Sequence, residues 1–355
     1  MRIRTLARLC IAAAVAFGAA ASAADAPPLE RLFVHGADFP LGAATDRMDH
    51  ESLDAATGRL FIAKMGAGRL LVFDTQRNSL LKDMPGFLKI TGVLAVVGKH
   101  RLYASVPGAG IGPSVSVGLG MVGLSEGTVA IAVLDTVTLR EIARLPGGVF
   151  PDGIAYDTAY DRLFVSDEMG KAVLAFDAAH NRRLARIDVG GEAGNVRCDS
   201  KTGQIFVAVQ SKDRLAVIDP QTLRLTETHP LPGGRHPHGL IVAPGGGVGY
   251  VACDGDERLL TVDLVTGRVL SVLPVGRDPD VLAVDDGLGR LYVASESGLV
   301  STFDISQPTE PKPLGDVFVG DNAHTLAIDT ATHRLFFAFG NAGGQAVLRV
   351  LTPKP

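Results

Sequence analysis

Apolar and polar residues alternate in short runs along almost the whole chain, and the runs stop at Gly, Asn, Asp or Pro. This is the pattern of half-buried strands joined by tight turns. One stretch makes it countable. Arg47 to Ala63 reads RMDHESLDAATGRLFIA, two alternating runs around a turn. It returns as FPDGIAYDTAYDRLFVS from Phe150, GNVRCDSKTGQIFVAV from Gly194, HPHGLIVAPGGGVGYVA from His236, DPDVLAVDDGLGRLYVA from Asp278 and NAHTLAIDTATHRLFFA from Asn322. A weaker copy, TGVLAVVGKHRLYAS from Thr91, completes a set of seven. Self-similarity at this period marks a repeat architecture.

In five copies the first strand is closed by Asp (Asp54, Asp157, Asp199, Asp285, Asp329), where a carboxylate can accept from the amides of the turn. A third strand follows and again ends in Asp, at Asp74, Asp135, Asp177, Asp219, Asp263 and Asp304. Most copies then carry a fourth run, such as REIARL from Arg140 and RVLSVL from Arg268. Four strands in meander order make one propeller blade. Equivalent positions at the start of the first strands are Asp49, Thr91, Asp152, Gly194, His238, Asp280 and His324, separated by 42, 61, 42, 44, 42 and 44 residues. After Leu348 to Leu351 no fourth strand remains for the seventh blade, whereas the apolar segment Leu29 to His35 has no blade of its own. Pairing them closes the ring without an open sheet edge. The expected fold is therefore all-β, a seven-bladed β-propeller of four-stranded antiparallel blades closed by the N-terminal strand, over residues 24–355.

The repeat resembles that of the YVTN-repeat β-propellers: GRLYVAS from Gly289, and GQIFVAV followed by LAVID, are close to that family's unit. The resemblance covers nearly all of the chain after its N-terminal segment and implies a periplasmic or surface bacterial protein, without implying a reaction. A narrower likeness, carried by Pro151-Asp152-Gly153, is to the gluconolactonase-type propellers, whose metal ligands sit at the channel mouth.

The N-terminus changes the picture of where the protein works. Basic Met1-Arg2-Ile3-Arg4, an apolar run from Leu9 to Ala20 and the small residues Ala21-Ser22-Ala23 have the layout of a secretory signal, so 1–23 is expected to be removed and the rest to be periplasmic or secreted. The apolar run is too short for an anchor, and no other segment is long enough to span a bilayer. Cys198 and Cys253 then remain, as a disulfide or as two buried thiols. Net charge is −4 with both signs interspersed, which leaves no electrostatic footprint for nucleic acid. A monomer is expected.

In a propeller the innermost strands all begin at one end of the central channel. The aligned positions therefore become neighbours, flanked by His50, Asn195, His236, Asp278, Asp321 and Asn322. Three carboxylates and two imidazoles at seven equivalent positions exceed what blade packing requires, although a wet channel mouth could also account for polar lining. The candidate ligand-binding set is Asp49, His50, Asp152, Asn195, His236, His238, Asp280 and His324. His236 and His238, two apart, would point to one side of an extended strand. With Asp152, Asp280 and His324 they form a candidate divalent-metal set suited to Zn, Fe, Cu or Ni, whereas Asp49, Asp152, Asn195 and Asp280 would suit Ca. His238 or His324 could then act as general base. The lactonase-type site uses acidic and amide ligands, so imidazoles at two ring positions depart from it. No G-x-S-x-G or C-x-x-C-H motif is present.

The long interval holds a Gly-rich loop, 106–127, between the second and third strands of blade two and so at the mouth end, either a lid or partner contact or a surface insertion. The other loops at that end carry Lys64, Asp167, Glu168, Lys212, Asp254, Asp256, Glu257 and Glu296, expected as a solvated rim. Two functions stay open. One is a binding propeller that recognises a small molecule or a periplasmic protein at the mouth; the other is a metal-dependent lactonase- or esterase-like hydrolase using the same residues. Binding is preferred, because no catalytic motif accompanies the repeat.

Overall fold

A computed structural model describes residues 27–109 and 129–355. The expected signal segment 1–23 and most of the loop 106–127 lie outside the described residues. Seven four-stranded antiparallel sheets form a ring. Blades 1 to 6 are meanders in chain order, spanning 51–85, 93–146, 151–188, 193–230, 237–274 and 279–318. Blade 7 takes its three inner strands from 327–353 and its outermost strand from the N-terminus.

The middle strands are apolar on both faces because each blade is sandwiched between two others. In Arg59–Lys64, Leu60 and Ile62 pack with Phe336 and Leu348 of blade 7, while Phe61 and Ala63 pack with Leu102 and Ala132 of blade 2. Side chains alternate across a strand, so successive residues serve opposite neighbours. The core is accordingly a set of seven apolar clusters, one at each blade interface. The outermost strands, such as Ser79–Pro85, have a neighbour on one edge only and are largely exposed.

The aspartates that end the strands cap their turns as expected. Asp54 accepts from the amide of Ala56 at 3.1 Å, Asp157 from Ala159 at 3.0 Å and Asp329 from Ala331 at 3.1 Å. Among the third-strand aspartates, Asp135 accepts from Val137 and Thr138 at 2.9 and 2.7 Å. Asp199 does more. It binds the Thr202 amide at 3.0 Å and reaches the Gly247 amide of the next blade at 2.9 Å, so one buried carboxylate joins two blades.

The seam is closed by the N-terminal strand, but not where the sequence pattern placed it. Leu29–Arg31 forms a 3-10 turn, and the strand is Phe33–Ala43, paired antiparallel with Gln345–Pro353 from Phe33↔Pro353 to Ala43↔Gln345. Gly36, Pro40 and Gly42 obscure this strand in the sequence. The structure admits Pro40 because the strand is outermost and one row of its amides needs no partner. Phe33 and Leu41 are fully buried, and Arg349 grips Asp38 through two nitrogens. Cys198 and Cys253 are both free thiols, on blades 4 and 5. No helix among the described residues is long and apolar enough to cross a membrane.

Candidate functional site

A local irregularity positions the site. In blades 3 to 6 the innermost strand carries a β-bulge within its first residues, between Pro151 and Ile154, Ala193 and Val196, Pro237 and Gly239, and Pro279 and Leu282. The marker residues Asp152, Gly194, His238 and Asp280 lie within these bulges. An extra residue breaks the two-residue alternation and re-aims a side chain. Glycine makes the geometry possible: a Cβ on Gly92 or Gly239 would lie 2.1 Å from the carbonyl oxygen of Asp152 or Asp280 in the following blade. The same carbonyl of Asp152 accepts from Ser105 Oγ at 2.7 Å, which locks the bulge of blade 3 onto blade 2.

Three of the flanking polar positions have a conformational cause. His236, Asp278 and Asn322 have φ of 54°, 53° and 59°, the left-handed region that His, Asp and Asn tolerate best among non-glycine residues. His236 is therefore not extended, although it lines the same cavity as His238. The Nδ1 of His236 sits 2.5 Å from Asp254 Oδ1. His324 is fully buried, with Nε2 3.1 Å from the Met48 carbonyl oxygen and Nδ1 3.1 Å from Asn322, while its own carbonyl accepts from the amide of Val281. It ties blade 7 to blades 1 and 6 and does not line the mouth.

The mouth opens as a cavity of about 560 Å³ whose walls include Asp49, Asp152, His236, His238 and Asp280 of the expected set. His50 and Asn195 lie beneath. His50 Nδ1 is 3.1 Å from Asp49 Oδ1, and Nε2 reaches 3.4 Å across from blade 1 to Asn195 Oδ1 on blade 4. Burial opposes the charged imidazole of His50, but Asp49, with Asp152 and Asp280 behind it, raises its pKa; the imidazolium can donate from both nitrogens.

His238 Nε2 lies 3.3 Å from Asp280 Oδ1, an ion-pair contact not aligned as a hydrogen bond, so that oxygen has no protein donor. Burial alone would lower the pKa of His238. Asp280, Asp152 and Glu168 outweigh it and hold the imidazole up to about 10, so it is cationic at neutral pH. Burial likewise works against ionised Asp280, yet His238, His324 and His50 keep its carboxyl well below the usual range. Asp152 differs. Burial raises its pKa against the pull of His50 and His238, it is 5% exposed, and its Oδ2 has no protein hydrogen-bond donor.

Sequence reasoning missed part of the wall. Arg47 donates to Glu296 Oε1 at 2.8 Å and lies 3.9 Å from Asp280, and Gln210 donates to Glu168 Oε1 at 3.1 Å; Arg47, Glu296, Gln210 and Glu168, with Asp254, line the cavity. Glu168, Asp254 and Glu296 had the place of rim residues, and only their common position between second and third strands signalled more. Lys64 and Asp167 leave the rim altogether. The buried Lys64 amine donates to the Leu41 and Ala43 carbonyls of the closing strand, and the buried Asp167 carboxylate accepts from the Val149 and Phe150 amides at 2.8 Å. Among the described residues, no three His, Cys, Asp or Glu side chains converge as a group able to hold a metal ion.

Several solved structures share the ring. Hydrazine synthase from Kuenenia stuttgartiensis matches with a TM-score of 0.71 at 13% identity, covering 89% of this chain and 97% of that one. A streptogramin B lyase matches at 0.70 and 13%, covering 91% and 98%, and the WD40 repeats of RRP9 at 0.71 and 9%, covering 93% and 99%. No protein-family model and no curated protein sequence matches the chain. At such identities the likeness establishes a seven-bladed β-propeller and nothing about chemistry.

Proposed function

We propose that the chain is an exported propeller of the YVTN-repeat kind that binds a small polar ligand in the mouth cavity. Residues 1–23 support export, and the repeat itself supports the kinship. The observation that carries the binding function is Asp152, a buried carboxylate in the cavity wall with an oxygen that no protein group satisfies. A buried acceptor without a donor is costly, and a ligand N–H or O–H in that position recovers the loss. The rest of the lining indicates the kind of ligand. Asp49, Glu168, Asp254, Asp278, Asp280 and Glu296 join Asp152 against Arg47 and the raised His238, so an amine or a polyhydroxylated molecule fits better than an anion.

The test is a calorimetric screen of the mature protein against amines, amino sugars, polyols and matched anions, repeated with Asp152→Asn and Asp280→Asn. Donor-rich compounds are expected to bind, with affinity reduced about tenfold or more by Asp152→Asn, the cost of roughly one charged hydrogen bond. Binders whose affinity neither substitution changes would place recognition elsewhere and overturn the assignment.

A further inference from the structure

Below the His50–Asn195 contact the channel continues as a second cavity of about 410 Å³, with a composition opposite to that of the mouth. Val93, Leu94, Ile154, Val281, Leu282 and Leu326 give it apolar walls. Ionisable side chains interrupt them, among them His50, Arg197 and Glu51. Arg197, on the innermost strand of blade 4, donates at 2.8 Å to the carbonyl of its neighbour Val196; among the described residues no carboxylate lies within ion-pair reach of its guanidinium. Glu51, on blade 1, accepts the Ala338 amide through Oε1 at 2.8 Å, and its buried Oε2 has no protein partner.

We propose that this second cavity binds a small organic anion, a carboxylate with an apolar tail, through Arg197. Three features favour that class. Burial lowers the Arg197 pKa to about 10 against the pull of Asp152, which leaves a half-buried cation at neutral pH with no carboxylate in contact, and a partly desolvated charge is stabilised by an anion beside it. The guanidinium fork matches a carboxylate in two parallel hydrogen bonds. Burial pushes the Glu51 carboxyl up to about 8, so at neutral pH it is uncharged and does not repel an anion. The volume falls within the ~300–1,000 Å³ typical of small-molecule sites, and the aliphatic walls would cover a short chain.

The site is separate from the mouth, and the experiment keeps the two apart. Octanoate, octanol and octylamine are titrated into the mature protein by calorimetry at pH 7, with Arg197→Met and, in the mouth, Glu296→Gln alongside and circular dichroism to confirm folding. Octanoate is expected to bind about tenfold or more tightly than octanol, and Arg197→Met to abolish that preference while Glu296→Gln preserves it. The comparison of octanoate with octanol on the unmodified protein stands even if Arg197→Met fails to fold. Equal binding of octanoate and octanol, tighter binding of octylamine, no binding of octanoate, or an octanoate preference that survives in folded Arg197→Met would each overturn the proposal.

Discussion

Glu51 shows how a single buried group sets the response of the protein to pH. Its folded-state pKa of about 8 is above that of an exposed glutamate, because burial disfavours the charged form. The folded protein therefore holds a proton that the unfolded chain has lost. The stabilising contribution is complete below the unfolded pKa, near 4.3, and disappears as pH rises through about 8. His50 and His238, also raised, act in the same direction at higher pH. Unfolding free energy from denaturant titrations should fall between pH 5 and 8, with Glu51 contributing up to about 1.4 kcal/mol per pH unit. Glu51→Gln should remove that component and be more stable than the parent at pH 8. An unchanged slope would show that Glu51 ionises freely. Neither Glu51 nor Arg197 was legible as unusual in the sequence. Each occupies a strand position where a polar residue ordinarily faces solvent, and only the assembled ring buries Glu51 against the Ala338 amide of blade 7 and sets Arg197 in the channel wall.

At the scale of the strand, what the sequence displayed best was periodic. Alternation, turn glycines and strand-ending aspartates repeat every 42 to 44 residues at most steps, and each repeat of a local signal reinforces the others. What it concealed were departures from the period. The bulges at Asp152, His238 and Asp280 and the left-handed backbone at His236 break the two-residue alternation, and no residue type in the repeat announces them. Alternation counted through His236 and His238 therefore rested on an extended backbone that His236 does not have. His324 had the right position in the repeat, but its imidazole contacts the Met48 carbonyl of blade 1 instead of the mouth. The Asp199 bridge to Gly247 provides a test of how blades are held together. Asp199→Ala should cost about 1–3 kcal/mol in denaturant unfolding, the price of leaving buried amides unsatisfied. An exposed turn cap such as Asp177→Ala should cost distinctly less.

For the whole molecule the seam matters most. The existence of an N-terminal clasp was readable from an unpaired apolar segment and a seventh blade lacking one strand, whereas its bounds were hidden by glycine and proline that an outer strand tolerates. Deleting 27–43 strips Gln345–Pro353 of its outer partner and empties the places of Phe33 and Leu41. The expected loss is at least about 3 kcal/mol, the burial free energy of two large apolar side chains. The exposed edge should also drive self-association, visible by light scattering. A monomeric deletion variant with unchanged stability would mean that the clasp is dispensable.

The clasp also has a meaning in time. Phe33 is among the first described residues to be synthesised, and its partner, Pro353, is among the last. Every other sheet can assemble as its own segment emerges, but this one must wait for the final strand. Contacts this distant along the chain slow folding, because the loop must close before the pairing repays it. The same delay makes the seam a check on completeness. A copy truncated before Gln345 has no partner for its own beginning, so it keeps an unpaired strand that proteases can find, while a full-length copy conceals it.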